Sequence, residues 1–173
     1  IAITPNGQFA YVTNLVGNNV SSYSINASAG TVTMVGSSVN SVNPYGIAMD
    51  PLGRFVWAVN YSASTVSAYT INGSTGQLTA AGAPVATGTF PYAVAVHPSG
   101  NYVYVANEMG NSVSAYSVNT STGQLTLLAG TIANSAFRPH SIAVDPTGRF
   151  VYLTESGGSG VAAFSINAST GVL

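Results

Sequence analysis

The sequence predicts an all-β fold, a β-propeller of about four blades, and three observations support this prediction. A unit that opens on an Ile-Ala-Val type segment and a Pro-x-Gly turn recurs at spacings of 46, 47 and 48 residues. The first strands of each unit are apolar on both faces, as expected where sheets pack against sheets. Asn and Gly recur between the strands, where they favour tight turns. The four copies begin at Ile1, Ile47, Val94 and Ile142.

Each unit is predicted to contain four short strands and no helix. The first is the Ile-Ala-Val segment, and the second is the apolar run 55–59 and its equivalents. The third is 66–71, followed by an Asn-to-Gly turn and a fourth strand that starts near Gln77. Alanine stands second in every first strand, where only a small side chain fits between converging sheets. The first strand is therefore expected to be innermost, with the large aromatic rings one strand further out.

The repeats divide the chain into blades 1–46, 47–93, 94–141 and 142–173, which together form one propeller domain or part of one. Three blades are expected to be complete and the last to have three strands. Both ends of the sequence fall inside a repeat. We therefore expect either a piece of a longer chain or a half-ring of four blades that closes by self-association. The predicted partners are accordingly further blades or a second copy.

Composition excludes several classes of function. Charged residues make up 4% of the chain, the net charge is −1, and all three cations are arginines. This leaves no basic footprint for nucleic acid or anionic lipid, and no apolar run is long enough to span a membrane. There is no cysteine, and no His and carboxylate cluster has metal-ligand spacing, so no metal and no cofactor is predicted. The wealth of Ser, Thr, Asn and Gly is typical of extracellular or surface proteins.

Four of the seven charges are assigned to turns. Asp50 and Arg54 share the turn between the first and second strands, and Asp145 and Arg149 share its copy. Where the Asp is replaced the Arg is replaced too, which predicts a local, solvent-exposed pair in each turn. His97 occupies the Asp position of the third unit and is predicted to be a turn residue.

The remaining ionisable groups fall at one end of the molecule. In a four-stranded blade, the loop that enters the first strand and the loop between the second and third strands emerge on the same side. Arg138 and His140 lie in the first kind of loop, and Glu108 and Glu155 in the second. The candidate catalytic residues are His140, Glu155 and Glu108, which would act as acid or base groups.

Aromatic side chains are predicted around the same rim, at the mouth of the central channel. Arg138 would grip a substrate carboxylate or phosphate. The other candidate substrate-binding residues are Tyr45, Tyr61, Tyr92 and Met109, with Phe90 beside them. The alternative interpretation is structural: Arg138 forms a rim salt bridge with a neighbouring Glu, and His140 caps a loop.

Three segments carry a resemblance to a known family: Tyr11-Val-Thr-Asn14, the segment 119–126 and the segment 145–152. Together they resemble the YVTN-repeat and seven-bladed lactonase-like β-propellers. That group includes lactone-processing enzymes, related to 6-phosphogluconolactonase and to the cyclising muconate enzymes, and cell-surface repeat proteins with no catalysis assigned. The resemblance therefore implies a fold but leaves function open.

Two hypotheses of function follow. The leading one is a non-catalytic extracellular or cell-surface module that acts as a binding or assembly scaffold, with a small-molecule or protein ligand at the channel mouth. The alternative is a lactone hydrolase or cyclase.

Overall fold

In the computed structural model, the chain forms four antiparallel sheets that follow one another along the sequence. The structure describes residues 1–128, the backbone of 132–133, and residues 138–158 and 160–173. Within these ranges every regular element is a strand. The predicted all-β class and partial propeller of about four blades are confirmed. The described ranges include no helix that could span a membrane.

The strands have the following bounds. The first sheet contains β1 (Ala2–Ile3), β2 (Phe9–Asn14), β3 (Asn19–Asn26), β4 (Thr31–Met34) and β5 (Val39–Asn40). The second contains β6 (Pro44–Met49), β7 (Phe55–Asn60), β8 (Thr65–Ile71), β9 (Leu78–Ala80) and β10 (Val85–Ala86). The third contains β11 (Pro91–Val96), β12 (Tyr102–Asn107), β13 (Ser112–Val118), β14 (Leu125–Leu127) and β15 (Ile132–Ala133). The fourth contains β16 (Pro139–Val144), β17 (Phe150–Glu155) and β18 (Val161–Ser165).

The first strand of each sheet lies at its inner edge. β6, β11 and β16 contact one another in succession and pair on their other side with the second strand of their own sheet. They begin at Pro44, Pro91 and Pro139, rather than at the predicted blade starts 47, 94 and 142. The described part of the fourth sheet has three strands, β16, β17 and β18.

The predicted fourth strand is in fact two short strands. β9 pairs with the end of β8 around Tyr69–Ile71, and β10 pairs with its beginning at Thr65–Val66. The first and third sheets repeat this arrangement. The outer edge of each of the first three blades is therefore interrupted.

The second strands supply the core between blades, as their continuous apolar character predicts. Tyr11, Trp57 and Tyr104 occupy equivalent positions there and are fully buried. Each also donates a hydrogen bond to the carbonyl of a turn glycine in the following blade. The three bonds are Tyr11 Oη to Gly76 O (3.0 Å), Trp57 Nε1 to Gly123 O (2.9 Å) and Tyr104 Oη to Gly171 O (2.9 Å). Each interface between consecutive blades thus combines a large buried ring with a satisfied polar group.

The predicted turn pair forms in the second unit but differs from expectation in its burial. Arg54 donates from Nε (2.8 Å) and Nη2 (3.1 Å) to the Asp50 carboxylate. That carboxylate is buried rather than exposed, because the third blade covers it at Gly100. The Asp50 carboxylate of this ion pair is therefore buried, whereas the Arg54 side chain is partly exposed to solvent.

In the fourth unit the predicted side-chain pair is wrong. The Asp145 carboxylate accepts hydrogen bonds from the hydroxyl and amide of Thr147 and from the amides of Arg149 (2.6 Å) and Phe150 (2.7 Å). The Arg149 Nε instead donates to the Thr147 hydroxyl (3.0 Å). The Thr147 hydrogen bond is the main reason that the pKa of Asp145 falls to about 2. His97 lies in its turn as expected, with Nε2 3.0 Å from the carbonyl of Gly148.

Candidate functional site

The loops at one end of the blades are held in an uncommon backbone conformation. Asn43, Phe90 and Arg138, each followed by proline at the entrance to a first strand, have φ of 45, 53 and 58°. Non-glycine residues adopt this left-handed region rarely, and more often near functional sites. Three residues between second and third strands share it: Asn18 (φ 51°), Ser64 (52°) and Asn111 (46°).

These two sets of residues are joined across each blade boundary. Asn111 Oδ1 accepts a hydrogen bond from the amide of Arg138 (2.8 Å), and Ser64 Oγ accepts one from the amide of Phe90 (3.3 Å). The carbonyl of Phe90 in turn accepts from the amide of Glu108 in its own blade (2.9 Å). The loop that carries Glu108 is therefore fixed relative to the blades on both sides. We call these contacts the boundary latches.

The side chains presented by these loops form a continuous aromatic surface. Tyr45, Tyr92 and His140 directly follow the entrance prolines of β6, β11 and β16. The ring centroids of Tyr45 and Tyr92 are 4.8 Å apart, and those of Tyr92 and His140 are 3.9 Å apart. Tyr61 packs against Tyr45 and Phe90, at 4.8 Å in both cases. Rings from three successive blades thus lie in contact at the starts of the innermost strands.

Ionisable side chains border this surface. The Tyr61 hydroxyl donates to Glu108 Oε2 (3.0 Å), and Glu108 Oε1 lies 4.0 Å from Nε of Arg138. The Glu108 side chain is 13% exposed and that of Arg138 47%. Arg138 Nη2 also contacts Met109 Sδ (3.0 Å). The rim salt bridge foreseen in the structural interpretation therefore exists, within the same group of residues as the predicted site.

We name this group the mouth cluster; it consists of Tyr45, Tyr61, Phe90, Tyr92, Glu108, Met109, Arg138 and His140. Burial raises the pKa of Tyr61, and its hydrogen bond to Glu108 raises it further. Burial, then the neighbouring Tyr45 and Glu108, raise the pKa of Tyr92. Both phenols are consequently neutral hydrogen-bond donors at neutral pH.

Glu155 is placed differently from the other candidates. Its backbone lies opposite Pro139, but no hydrogen bond or ion pair between described residues joins its side chain to His140, Glu108 or Arg138. It occupies the position of Asn60, whose Nδ2 donates to hydroxyls of Thr65 and Ser67 (both 2.9 Å). The fourth blade has glycine and alanine in place of those two hydroxyl residues, at 160 and 162. Glu155 therefore lies beside the mouth cluster without a fixed partner in it.

The boundary latches were not anticipated from the sequence. Their signal is weak, because one Asn or Ser per unit at the end of a Gly-rich or Ser-rich turn is common in turns generally. Among the described residues, no three His, Asp or Glu side chains are close enough to hold a metal ion. The mouth cluster contains one imidazole, one carboxylate, one guanidinium and several aromatic rings that pack on one another. These are groups suited to acid-base chemistry on a small ring-shaped substrate.

Comparison with known proteins identifies relatives of the whole chain. The family model described as lactonase, 7-bladed beta-propeller, matches residues 1–91 and 86–173. A comparison with curated protein sequences gives no match.

Solved structures share the fold. A periplasmic gluconolactonase from Pseudomonas aeruginosa is similar with a TM-score of 0.84 and 19% identity, over 98% of this chain and 50% of that one. A proposed 6-phosphogluconolactonase from Bacteroides uniformis gives 0.85 and 17%, over 98% and 50%. A functionally unknown protein from Desulfotomaculum acetoxidans gives 0.81 and 30%, over 98% and 52%. The chain spans about half the length of these structures.

These findings correct the leading hypothesis of function. The non-catalytic extracellular or cell-surface scaffold is wrong as the main interpretation, because the family model that matches residues 1–91 and 86–173 is that of lactonases. They favour the alternative, lactone chemistry. The high content of Ser, Thr, Asn and Gly had suggested the scaffold. These residues determine how the surface is solvated but say nothing about whether the protein catalyses a reaction. The predicted location and the predicted closing partners stay predictions.

Proposed function

The chain belongs to the lactonase family of seven-bladed β-propellers, and from that premise we propose that it supplies part of the active site of a lactone hydrolase. The observation that carries the proposal is the mouth cluster. It brings His140, Glu108 and Arg138 to the edge of one aromatic surface. The other arginines and the other histidine lie in turns at the opposite end of the blades.

Lactone opening requires three things of a protein. A base must take a proton from the water that attacks the acyl carbon, a donor must stabilise the oxyanion that forms, and the ring must be held while the ester bond breaks. In the proposal, His140 is the base, because its ring lies on the exposed end of the aromatic stack. The proton then passes to the alkoxide oxygen that leaves when the ring opens.

Arg138 is the proposed donor to the oxyanion, and Glu108 is the group that orients it. The Glu108 carboxylate is itself fixed by the Tyr61 hydroxyl at 3.0 Å, so the Arg138 guanidinium has a defined neighbour at 4.0 Å. The half-buried rings of Tyr45 and Tyr92, whose faces pack on neighbouring rings, would contact the ring of the substrate through their edges. Glu155, beside the cluster and without a partner in it, is the second proposed acid or base group.

The test is hydrolysis of simple lactones, followed with a pH indicator because each turnover releases a carboxylic acid. We expect His140→Ala to lower the rate by about 10²- to 10⁴-fold, as removal of a general base usually does. The matched control is His97→Ala, which removes the histidine of the third-blade turn and should leave the rate of the folded protein unchanged. Glu155→Gln tests the second group in the same assay.

Two results would refute the proposal. One is the absence of turnover above the spontaneous rate for every lactone. The other is full activity in His140→Ala and Glu155→Gln alike.

A further inference from the structure

Arg138 is held by hydrogen bonds at both of its backbone groups. Its amide donates to Asn111 Oδ1 in the third blade (2.8 Å). Its carbonyl accepts from the amide of Ser156 in the fourth blade (2.9 Å), and the Ser156 hydroxyl donates to the same oxygen (3.3 Å). The backbone of Arg138 is therefore fixed to the blades on both sides of this boundary.

The conformation that these bonds hold is an unfavourable one. Arg138 has a φ of 58° and precedes Pro139. A residue with a Cβ is disfavoured in this left-handed region, and the residue before a proline is further restricted, away from helical backbone. Such a conformation persists only where surrounding contacts hold it in place. Asn111 provides the contact at the Arg138 amide, and it has a φ of 46° itself, which asparagine tolerates better than most residues.

The backbone conformation determines where the Arg138 side chain points. Arg138 lies at the entrance to the fourth blade, yet its guanidinium contacts the third. Nε is 4.0 Å from Glu108 Oε1, and Nη2 is 3.0 Å from Met109 Sδ. Glu108, Met109 and Asn111 all belong to the loop between β12 and β13. One loop therefore holds Arg138 at its amide and at its guanidinium.

The other two boundaries have an equivalent latch. Between the first and second blades, the amide of Asn43 donates to Asn18 Oδ1 (2.8 Å). Between the second and third, the amide of Phe90 donates to Ser64 Oγ (3.3 Å). Of the three residues held at their amides, only Arg138 is charged. The first boundary therefore provides a control for the effect of a latch on folding alone.

We propose that Asn111 is a positioning residue for Arg138: it accepts the amide hydrogen of Arg138 and so fixes the backbone from which the guanidinium reaches the mouth cluster. A donor that is already in place stabilises an oxyanion without having to be ordered during the reaction. The inference rests on the proposed lactone hydrolysis, in which Arg138 is the donor to the oxyanion. It adds a residue that lies outside the mouth cluster and acts through Arg138.

The first experiment measures the mobility of the guanidinium. ¹⁵N-labelled arginine gives three Nε–Hε signals, because the chain has three arginines, and substitution of each in turn assigns them. We expect Asn111→Gly to lower the heteronuclear NOE of Arg138 Nε, which reports picosecond to nanosecond motion. Asn18→Gly removes the equivalent acceptor at the first boundary and should leave the Arg138 signal unchanged. Arg54 Nε, bound to Asp50, is the internal reference.

The second experiment measures the effect of this order on the reaction. The probe is δ-valerolactone, followed with the pH indicator. Asn111→Gly should lower kcat by about ten- to a hundredfold, with a smaller change in KM, because the oxyanion is absent from the bound substrate. Asn18→Gly should leave kcat close to that of the protein. In the Arg138→Ala background, Asn111→Gly should cause no further loss, because its effect passes through the arginine.

Two conservative variants keep the inference testable if Asn111→Gly does not fold. Asn111→Asp keeps an oxygen acceptor for the Arg138 amide and should retain both the Arg138 NOE and kcat. Asn111→Ser copies Ser64, whose hydroxyl accepts at the longer distance of 3.3 Å, and should give intermediate values. If the latch served folding alone, the losses would follow the thermal stability of each variant, Asn18→Gly included.

The outcomes separate the inference from the proposed function. Equal losses of kcat in Asn111→Gly and Asn18→Gly, or a further loss in the Arg138→Ala background, would overturn the positioning role and leave lactone hydrolysis standing. A lowered Arg138 NOE in Asn111→Gly, without turnover of any lactone by the protein, would support the positioning role and refute the hydrolase. An unchanged Arg138 NOE in Asn111→Gly would overturn the inference.

Discussion

The hydrogen bonds between consecutive blades should contribute measurably to stability, and Tyr104→Phe isolates one of them. The Tyr104 ring is fully buried, and its hydroxyl donates to the carbonyl of Gly171 in the next blade at 2.9 Å. The substitution leaves the ring packing in place and removes only the donor.

The expected cost follows from what is left behind. A buried hydrogen bond between neutral groups contributes about 0.5 to 1.5 kcal/mol, and an acceptor left buried without a partner costs about 1 to 3 kcal/mol. Because Gly171 is buried while the adjoining turn residues 167–170 are exposed to water, we expect a loss of about 1 to 2 kcal/mol. For a chain of this length, that corresponds to a fall in Tm of roughly 2 to 8 °C.

The structure provides a matched control. Tyr152 occupies the same position in the fourth blade but is 41% exposed, and no blade among the described residues covers it. Tyr152→Phe should therefore change the free energy of unfolding by less than about 0.5 kcal/mol. Urea unfolding followed by circular dichroism gives both values, provided that the two variants share one m-value. Equal losses in the two variants, or none in Tyr104→Phe, would show that this hydrogen bond does not stabilise the interface.

Three further predictions concern packing, the turns and pH. Gly123→Ala should destabilise the protein more than Gly30→Ala does. Both glycines have positive φ, but only at Gly123 would a Cβ clash with a ring of the preceding blade, that of Phe55. Thermal unfolding of the two variants measures the difference in Tm. Asp50→Asn should cost about 1.5 to 3 kcal/mol in urea unfolding, since the buried carboxylate loses charge-assisted bonds from Arg54, and a cost below 0.5 kcal/mol would contradict its burial. Burial raises the pKa of Tyr11 to about 12, so the stability it contributes should be complete below pH 10 and fall as the pH rises from 10 to 12; because the chain has ten tyrosines, urea unfolding across this pH range is compared with that of Tyr11→Phe, and an equally steep fall in the variant would contradict the prediction.

Repetition made most of the fold predictable. Each strand and turn is specified by a local pattern, and four copies of the pattern confirm one another, as Ala48 and Ala95 do in the first strands. The split of the outer strand into β9 and β10 was not predictable, because the residues between them carry turn chemistry that also fits a longer connection. The end of the molecule at which the mouth cluster forms was predictable from topology alone.

The turn charges show where sequence reasoning stops. The second and fourth units have the same Asp and Arg, but Thr147 stands where the second unit has Leu52. The Thr147 hydroxyl donates a hydrogen bond to the Asp145 carboxylate and accepts one from Arg149 Nε, so Asp145 and Arg149 do not form a direct side-chain pair. Thr147, which competes for both groups, can be read from the sequence. The burial of Asp50 cannot, because it depends on the approach of Gly100 from the neighbouring blade.

The mouth cluster was only partly predictable for a related reason. The positions of His140, Glu108 and Arg138 followed from the blade pattern, but which of them touch depends on the left-handed backbone at Phe90 and Arg138. Glu155 follows the same pattern, but no hydrogen bond between described residues joins its side chain to the mouth cluster, and glycine and alanine stand where hydroxyl groups bind Asn60 and Asn107.

Contacts within the mouth cluster cross blade boundaries in two parallel rows. One row runs from Tyr45 through Tyr92 to His140 along the first strands, and the other from Tyr61 through Glu108 to Arg138 along the loops. Each row takes one residue from each of blades two, three and four. A single blade therefore carries no site, and the geometry of the cluster is set by the angle between neighbouring blades. The boundary latches act at the same end of the blades, where the side chains of Asn111 and Ser64 accept hydrogen bonds from backbone amides of the next blade's entrance loop, so they constrain that angle without using the side chains of the two rows.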